Sequence, residues 1–444
     1  MLNKNEQKVI AFYINHGVEA RHFVLSSLVN KMENEGNKVV FLFKSNINSD
    51  LRRQFFPDQK IIFFPDEILL KKRYWIEGYI SAIRKARMNF KKVGLFHNFN
   101  DPKAPSLLRD FFLGNWVVHN IITLFAKVLY KKYYTDKAIV DFLLKNEIDE
   151  LYFLDYNADF QLQLGFSANN ANISLNVCIN TLKSFYINNF IPFKVNKIYV
   201  WSKVQKLLFQ KFNTNLNSKN TIDSGCFFHH FLLHDKTNFE PSQQLIELTK
   251  EPYVLYSLIF QTIYPNEYYL IENLEKTLIK LFPDNTPKII IRRNPFENSN
   301  FDIEQIRKLK NVKIAPHSWE RDESKSWSIQ SMQGEYEWKY LLKNAKVLIN
   351  ISSMASIEAL LLGTPVINLG LNKDGIKDIT LRRFYNAPFM SEILKSKFSG
   401  LALNQNDLEN QLLSFIDVKK QFTDIDVQNS LNISKTNFDK MTII

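Results

Sequence analysis

Residues 350–370 read NISSMASIEALLLGTPVINLG, a stretch that gathers Ser352, Ser353 and Glu358 between two apolar runs. Hydroxyls and backbone N–H groups where a buried strand turns into a helix suit an anion, because both donate and the helix end is positive. Met354 shares that turn, and Glu358, a little over one turn into the expected helix, is placed to hydrogen-bond a ribose hydroxyl. A serine there is also an ordinary helix cap, which accounts for one hydroxyl and not for the whole polar step. IIIRRNP at 289–295 supplies cations. Arg292 and Arg293 end a three-isoleucine run, a costly place for charge unless it meets an anion or solvent, and Asn294 adds a neutral donor. His317 and Ser318 stand at the corresponding lip after the next run, with a charged loop, HSWERDESKSW, behind them. In the other half, INHGVEARHF puts His16 in a strand-to-helix turn, and FLDYNADFQ puts Asp155 at a strand end with Asp159 after it. Each of the three is a candidate base, an aspartate becoming one when partial burial raises its pKa. The plain alternatives are a surface histidine and helix-capping aspartates.

Residues of this kind need strands that end together. KVIAFYI (8–14), KVVFLF (38–43), KIIFFP (60–65), KVGLFHN (92–98), ELYFLDY (150–156) and NKIYVWS (196–202) read as buried strands. ARHFVLSSLVNKMENEGN has helical apolar spacing between the first two. PYVLYSLI (252–259), PKIIIRRNP (287–295), NVKIAP (311–316), AKVLINISS (345–353) and TPVINLG (364–370) repeat the pattern, with helical YLIENLEKTLIKLFP and EYEWKYLLKNA between them. Continuous apolar strands alternating with helices predict parallel sheets. The fold class expected is α/β: two Rossmann-like domains, 1–240 and 241–444, facing across a cleft, with a last helix packing back on the first domain. Ligands bind such sheets at the carboxyl ends of the strands. No G-x-G-x-x-G phrase follows the first strand, which removes the dinucleotide fingerprint.

A chain of 444 residues with 45% hydrophobic and 23% charged residues is expected to fold as two globular domains. Its net charge of +12 points to an anionic partner: a nucleotide, an acidic membrane surface or a nucleic acid. The lysines are dispersed and no nucleic-acid module is visible, so nucleic acid is not expected. NWVVHNIITLFAKVLYKKYY at 115–134 is interrupted by polar residues and is expected to lie on a surface rather than span a bilayer, with Tyr130, Lys131, Lys132, Tyr133 and Tyr134 as a basic aromatic patch. No secretory leader is read in the first residues, and the two cysteines are compatible with a reducing cytosol, so the expected place is the cytoplasm or the inner face of the membrane. CFFHHFLLH (226–234) raises zinc, but its spacing matches no common site; no metal and no cofactor is expected.

EWKYLLKNAKVLINISSMASIEALLLGTPVINLG, residues 337–370, resembles the nucleotide-binding domain of two-domain, GT-B type glycosyltransferases of bacterial capsule and lipopolysaccharide synthesis. Ser352, Ser353, Glu358, Ala359, Gly363, Pro365, Val366 and Ile367 carry the match. The resemblance implies a nucleotide-sugar donor, UDP- or CMP-linked, and an oligosaccharide or lipid-linked glycan acceptor. Retaining members often carry a glutamate eight positions before the one matched by Glu358; Asn350 stands there, which favours inversion without a metal. The same phrase is similar to segments of UDP-sugar 2-epimerases and of teichoic-type polymerases using CDP-polyols. A peripheral membrane or nucleic-acid binding protein is the non-enzymatic alternative.

Overall fold

The computed structural model describes residues 7–15, 17–44, 52–68, 70–71, 115–156, 159–187, 190–213, 215–259, 264, 267–293, 303–316, 319–322, 327–378, 381, 385, 388–416, 424–430 and 433–436. The chain forms two compact units, the first built from the chain up to Phe231 and the second principally from Leu232 onward. Each unit is organised on a sheet whose described strand pairs are all parallel.

The first sheet contains β1 (Val9–Ile14), β2 (Lys38–Phe43), β3 (Ile61–Phe63), β4 (Glu150–Leu154), β5 (Ser174–Cys178), β6 (Lys197–Val200) and β7 (Thr221–Asp223). Their order is β3-β2-β1-β4-β5-β6-β7. The second sheet contains β8 (Tyr253–Ser257), β9 (Lys288–Arg292), β10 (Val312–Ile314), β13 (Leu348–Asn350), β14 (Val366–Leu369) and β15 (Ser399–Ala402), in the order β10-β9-β8-β13-β14-β15. In both, the chain builds outward from its first strand in one direction and then in the other. The reversal leaves a switch point between β1 and β4, and another between β8 and β13, where crossover connections part and open room at the strand ends.

Burial explains why the strands could be read as apolar runs. Every residue of β1, β4, β8, β13 and β14 is buried, as both faces of a parallel sheet are covered. Part of the high phenylalanine and tyrosine content fills these layers: the Phe12 ring lies 4.8 Å from Phe23 and 5.2 Å from Tyr152.

The structure departs from the expected elements in several places. β5, β7 and β15 are strands that the apolar pattern does not reveal, being short or carrying polar residues such as Asn176. The 20–37 helix is two helices, Gly17–Phe23 and Leu28–Asn34, parted at Ser27, whose φ of 67° cannot continue a right-handed helix. Part of the charged 317–327 loop is strand: β11 (Trp319–Asp322) and β12 (Trp327–Gln330) form a two-stranded ribbon. The last described helix, Asp424–Ser430, packs on the Ala355–Leu361 helix of the second unit; it is the segment after it that joins the first unit. There the Ser434 N–H donates to the Trp201 carbonyl at 2.9 Å and the Thr436 hydroxyl to the Cys226 carbonyl at 2.7 Å. The expected strand at 92–98 lies outside the described residues.

Candidate active site

In the second unit the polar step after β13 is first of all a structural network. Asn350, fully buried, accepts the Ser353 N–H at 2.9 Å through Oδ1 and donates through Nδ2 to the Ser356 hydroxyl at 3.0 Å. Ser356 donates onward to Asn368 Oδ1 at 3.3 Å, and Asn368 Nδ2 donates to the Ser399 hydroxyl at 3.2 Å, which ties the ends of β13, β14 and β15 together. A polar atom buried in the sheet without such a partner would cost about 1–3 kcal/mol. Asn350 therefore shapes the turn, a role that spacing alone does not disclose.

The helix after this turn is shorter than expected, Ala355–Leu361, with Met354 at its amino end in helical geometry and Ser352 and Ser353 ahead of it. Ser353 does act as a cap, its hydroxyl accepting the Ala355 N–H at 3.2 Å. Ser352 does not: its φ of 46° bends the chain, and its backbone meets the Tyr385 hydroxyl. Ser353→Ala is thus expected to cost about 1 kcal/mol of stability. Ser352→Ala should leave stability within about 0.5 kcal/mol and weaken nucleotide binding by roughly tenfold, the loss of one hydrogen bond to a charged group. Urea unfolding and calorimetric titration with UDP separate the two; equal affinity in Ser352→Ala would remove that residue from the anion site.

Glu358 falls in the first turn of this helix. The Trp338 indole N–H donates to its carboxylate at 2.6 Å, and the Arg292 guanidinium lies 3.9 Å above the same Trp338 ring. Arg292 also donates to Gln330 Oε1 at 3.2 Å, while Gln330 donates to the Gly334 carbonyl at 2.6 Å. Trp338, only 2% exposed, comes from the Met332–Asn344 helix and lies between a cation at the end of β9 and a carboxylate beyond β13. Arg292 and Glu358, 66 residues apart in the chain, thus share one scaffold on either side of the β8/β13 switch point. Arg293 comes directly after β9 and is half-buried. Asn294, His317 and Ser318 lie outside the described residues.

In the first unit, Asp155 directly follows β4, next to the β1/β4 switch point. Its φ is 56°, a left-handed conformation that aspartate tolerates better than most residues. Its backbone N–H donates to the Cys178 carbonyl at 2.8 Å; its carboxylate accepts the Asn180 N–H at 3.1 Å and, at 3.4 Å, the Ser184 hydroxyl. Burial pushes its pKa from 3.8 up to about 6, against those two hydrogen bonds and the attraction of Lys183. Lys183 is itself lowered by burial, with Asp155 opposing. The loop carrying Asn180 to Ser184 is pinned from behind. Gln205 donates to the Thr181 and Leu182 carbonyls at 3.0 and 3.2 Å, and the Trp201 indole N–H donates to the Ile179 carbonyl at 2.7 Å. Lys183 and Ser184 lie 28 and 29 positions after Asp155, too far along the chain for spacing to associate them.

Asp159 lies four positions further along the chain than Asp155. It opens the Asp159–Asn170 helix and acts on Lys44, whose ammonium lies 5.2 Å from the Phe160 ring centre. His16 lies outside the described residues. His22 and His229, near it and in CFFHHFLLH, are buried and pushed down to about 3, chiefly by desolvation with Arg21 adding repulsion, so both are neutral at pH 7. His229 packs edge-on to Trp201 at 5.0 Å, a core position. Among the described residues no group of three or more His, Cys, Asp or Glu side chains could hold a metal ion.

Two parallel α/β units, each with its strand order reversing beside its first strand, define the two-domain GT-B fold class. The fold is shared along nearly the whole chain with three solved structures. A UDP-GlcNAc 2-epimerase from Neisseria meningitidis bound to UDP-GlcNAc has a TM-score of 0.52 at 12% identity, over 96% of this chain and 95% of that one. The UDP-GlcNAc 2-epimerase of Methanocaldococcus jannaschii, in complex with UDP-GlcNAc and UDP, has 0.51 at 13%, over 96% and 97%. MnaA of S. aureus, solved with UDP, has 0.54 at 8%, over 98% and 94%. No protein-family model and no curated protein sequence matches the chain.

Proposed function

We propose that this protein is an enzyme acting on a nucleotide-linked sugar, the second unit holding the nucleotide and the first supplying the group that moves a proton. The observation that carries the reading is the Arg292–Trp338–Glu358 chain. It presents a cation suited to a diphosphate and a carboxylate suited to a ribose diol on the two sides of a switch point, with Ser352 in the turn that leads into the Glu358 helix. Asp155, with a pKa of about 6, is a carboxylate able both to take and to return a proton near neutrality.

For the reaction, 2-epimerisation of a UDP-sugar is the first reading. It is favoured by the three compared proteins, two of them UDP-GlcNAc 2-epimerases by name and the third likewise solved with a uridine nucleotide, UDP. The balanced step is elimination and re-addition: as a proton leaves the carbon next to the anomeric centre its bonding pair forms a double bond to that centre and expels UDP. UDP then adds back while a proton returns on the opposite face, with Asp155 and its neighbour Lys183 as the candidate proton carriers. Glycosyl transfer to a capsule- or lipopolysaccharide-type glycan is the second reading, favoured by the likeness of residues 337–370 to those transferases. There Asp155 would take the acceptor hydroxyl's proton as UDP leaves, and the anomeric configuration would invert.

The decisive experiment supplies UDP-GlcNAc, a CMP-linked sugar and a CDP-polyol, each with and without acceptor glycans, and follows products by NMR. A 2-epimer formed without acceptor is expected. A glycosidic or phosphodiester product that requires acceptor would replace the first reading with transfer, and absence of binding to all three donors would overturn both.

A further inference from the structure

The Trp116–Tyr134 helix is apolar on two sides. Its inward side is covered: Ala126, Tyr130 and Tyr134 are buried, with the Tyr134 ring stacked on Phe166. The aromatic residues expected to form an exposed basic patch are thus largely core. The outward side carries Val117, Ile121, Leu124, Phe125 and Val128, each between 53 and 68% exposed. At roughly 100° per residue these five fall within an arc of about 100°, opposite the buried three. Lys131 and Lys132, both exposed, follow at its carboxyl-terminal end, Lys132 within the arc and Lys131 about 20° beyond one edge, and the helix contains no Asp or Glu. Single exposed apolar residues are ordinary, but a contiguous ridge on one helix is not.

We propose that this outward face docks on an anionic lipid bilayer, the helix lying in the plane of the headgroups. The apolar ridge would enter the acyl boundary while Lys131 and Lys132 meet lipid phosphates. Charge decides for this occupant: the ridge ends in two cations on a chain of net charge +12, which an anionic surface attracts and a second copy of the chain repels. The helix does not qualify as a span; no described helix is long and apolar enough to cross a membrane.

The test is co-sedimentation of the full chain with phosphatidylglycerol or phosphatidylcholine vesicles, alongside sedimentation velocity without lipid. Binding to phosphatidylglycerol at low salt, released by high salt and at least tenfold weaker to phosphatidylcholine, is expected. Lys131→Glu/Lys132→Glu should lower it tenfold or more, and Leu124→Ser/Phe125→Ser should abolish it with far-UV circular dichroism unchanged. Equal binding to both lipids, no binding at low salt, or unaltered binding by both folded variants would overturn the proposal. So would a wild-type dimer that Leu124→Ser/Phe125→Ser converts to monomer, which would assign the face to a second copy.

Discussion

Asp155→Asn is expected to lower turnover by roughly 10²–10⁴-fold, the usual worth of a positioned acid or base, while UDP binding stays within about twofold of the wild type. The same substitution should make the protein more stable at pH 8. Asp155 has a pKa of about 6 in the folded chain against an ordinary 3.8, so between these values the native state holds a proton that the unfolded chain has released. Its contribution to stability is fully present below about 3.8 and is lost as pH rises through about 6. The difference corresponds to about 3 kcal/mol. Asparagine keeps an oxygen for the Asn180 N–H, tolerates the left-handed backbone and is never ionised. Loss of the attraction to Lys183 opposes part of the gain. Urea unfolding at pH 4 and pH 8 should show a gain of roughly 1–3 kcal/mol that appears only at the higher pH. A helix-capping or purely structural aspartate predicts the reverse, a loss at pH 8 with turnover retained. Wild-type turnover should also rise through about pH 6 as the carboxylate ionises.

Trp338→Phe is the second large effect. It keeps an aromatic face under Arg292 and removes the N–H that holds Glu358. Loss of a hydrogen bond to a charged group is worth about 1.5–3 kcal/mol, so UDP affinity should fall by roughly 10- to 100-fold. The useful readout is a ratio. Wild type should prefer UDP over 2′,3′-dideoxyuridine diphosphate by about tenfold or more, because only UDP offers the diol to Glu358; in Trp338→Phe that preference should shrink toward equality. A folded Trp338→Phe that binds UDP with unchanged affinity and preference would make Trp338 a core residue only. A wild type without preference would remove Glu358 from ribose recognition.

How much was legible in the chain varies with how local the signal is. β1, β2, β8, β9 and β14 could be read because a parallel strand covered on both faces must be a continuous apolar run. β5 escaped because Asn176 is buried within it beside Glu150, a polar pairing that no periodicity announces. The polar turn at 350–353 was visible as unusual, but its meaning was divided. Asn350, Ser353 and Ser356 turn out to be one another's partners, and Ser352 is the hydroxyl we propose for a ligand.

Composition and pattern alone determined two α/β units and where most of their strands end, since both follow from neighbours along the chain and the need to bury apolar strands. Tertiary structure alone decided which of those residues lie together. It set Trp338 between Arg292 and Glu358, placed Asn180, Lys183 and Ser184 around Asp155, and brought Asp159 to act on Lys44. Hydrogen bonds, stacking and desolvation act across a few ångströms of space, and distances between groups tens of residues apart exist only once the sheets have formed.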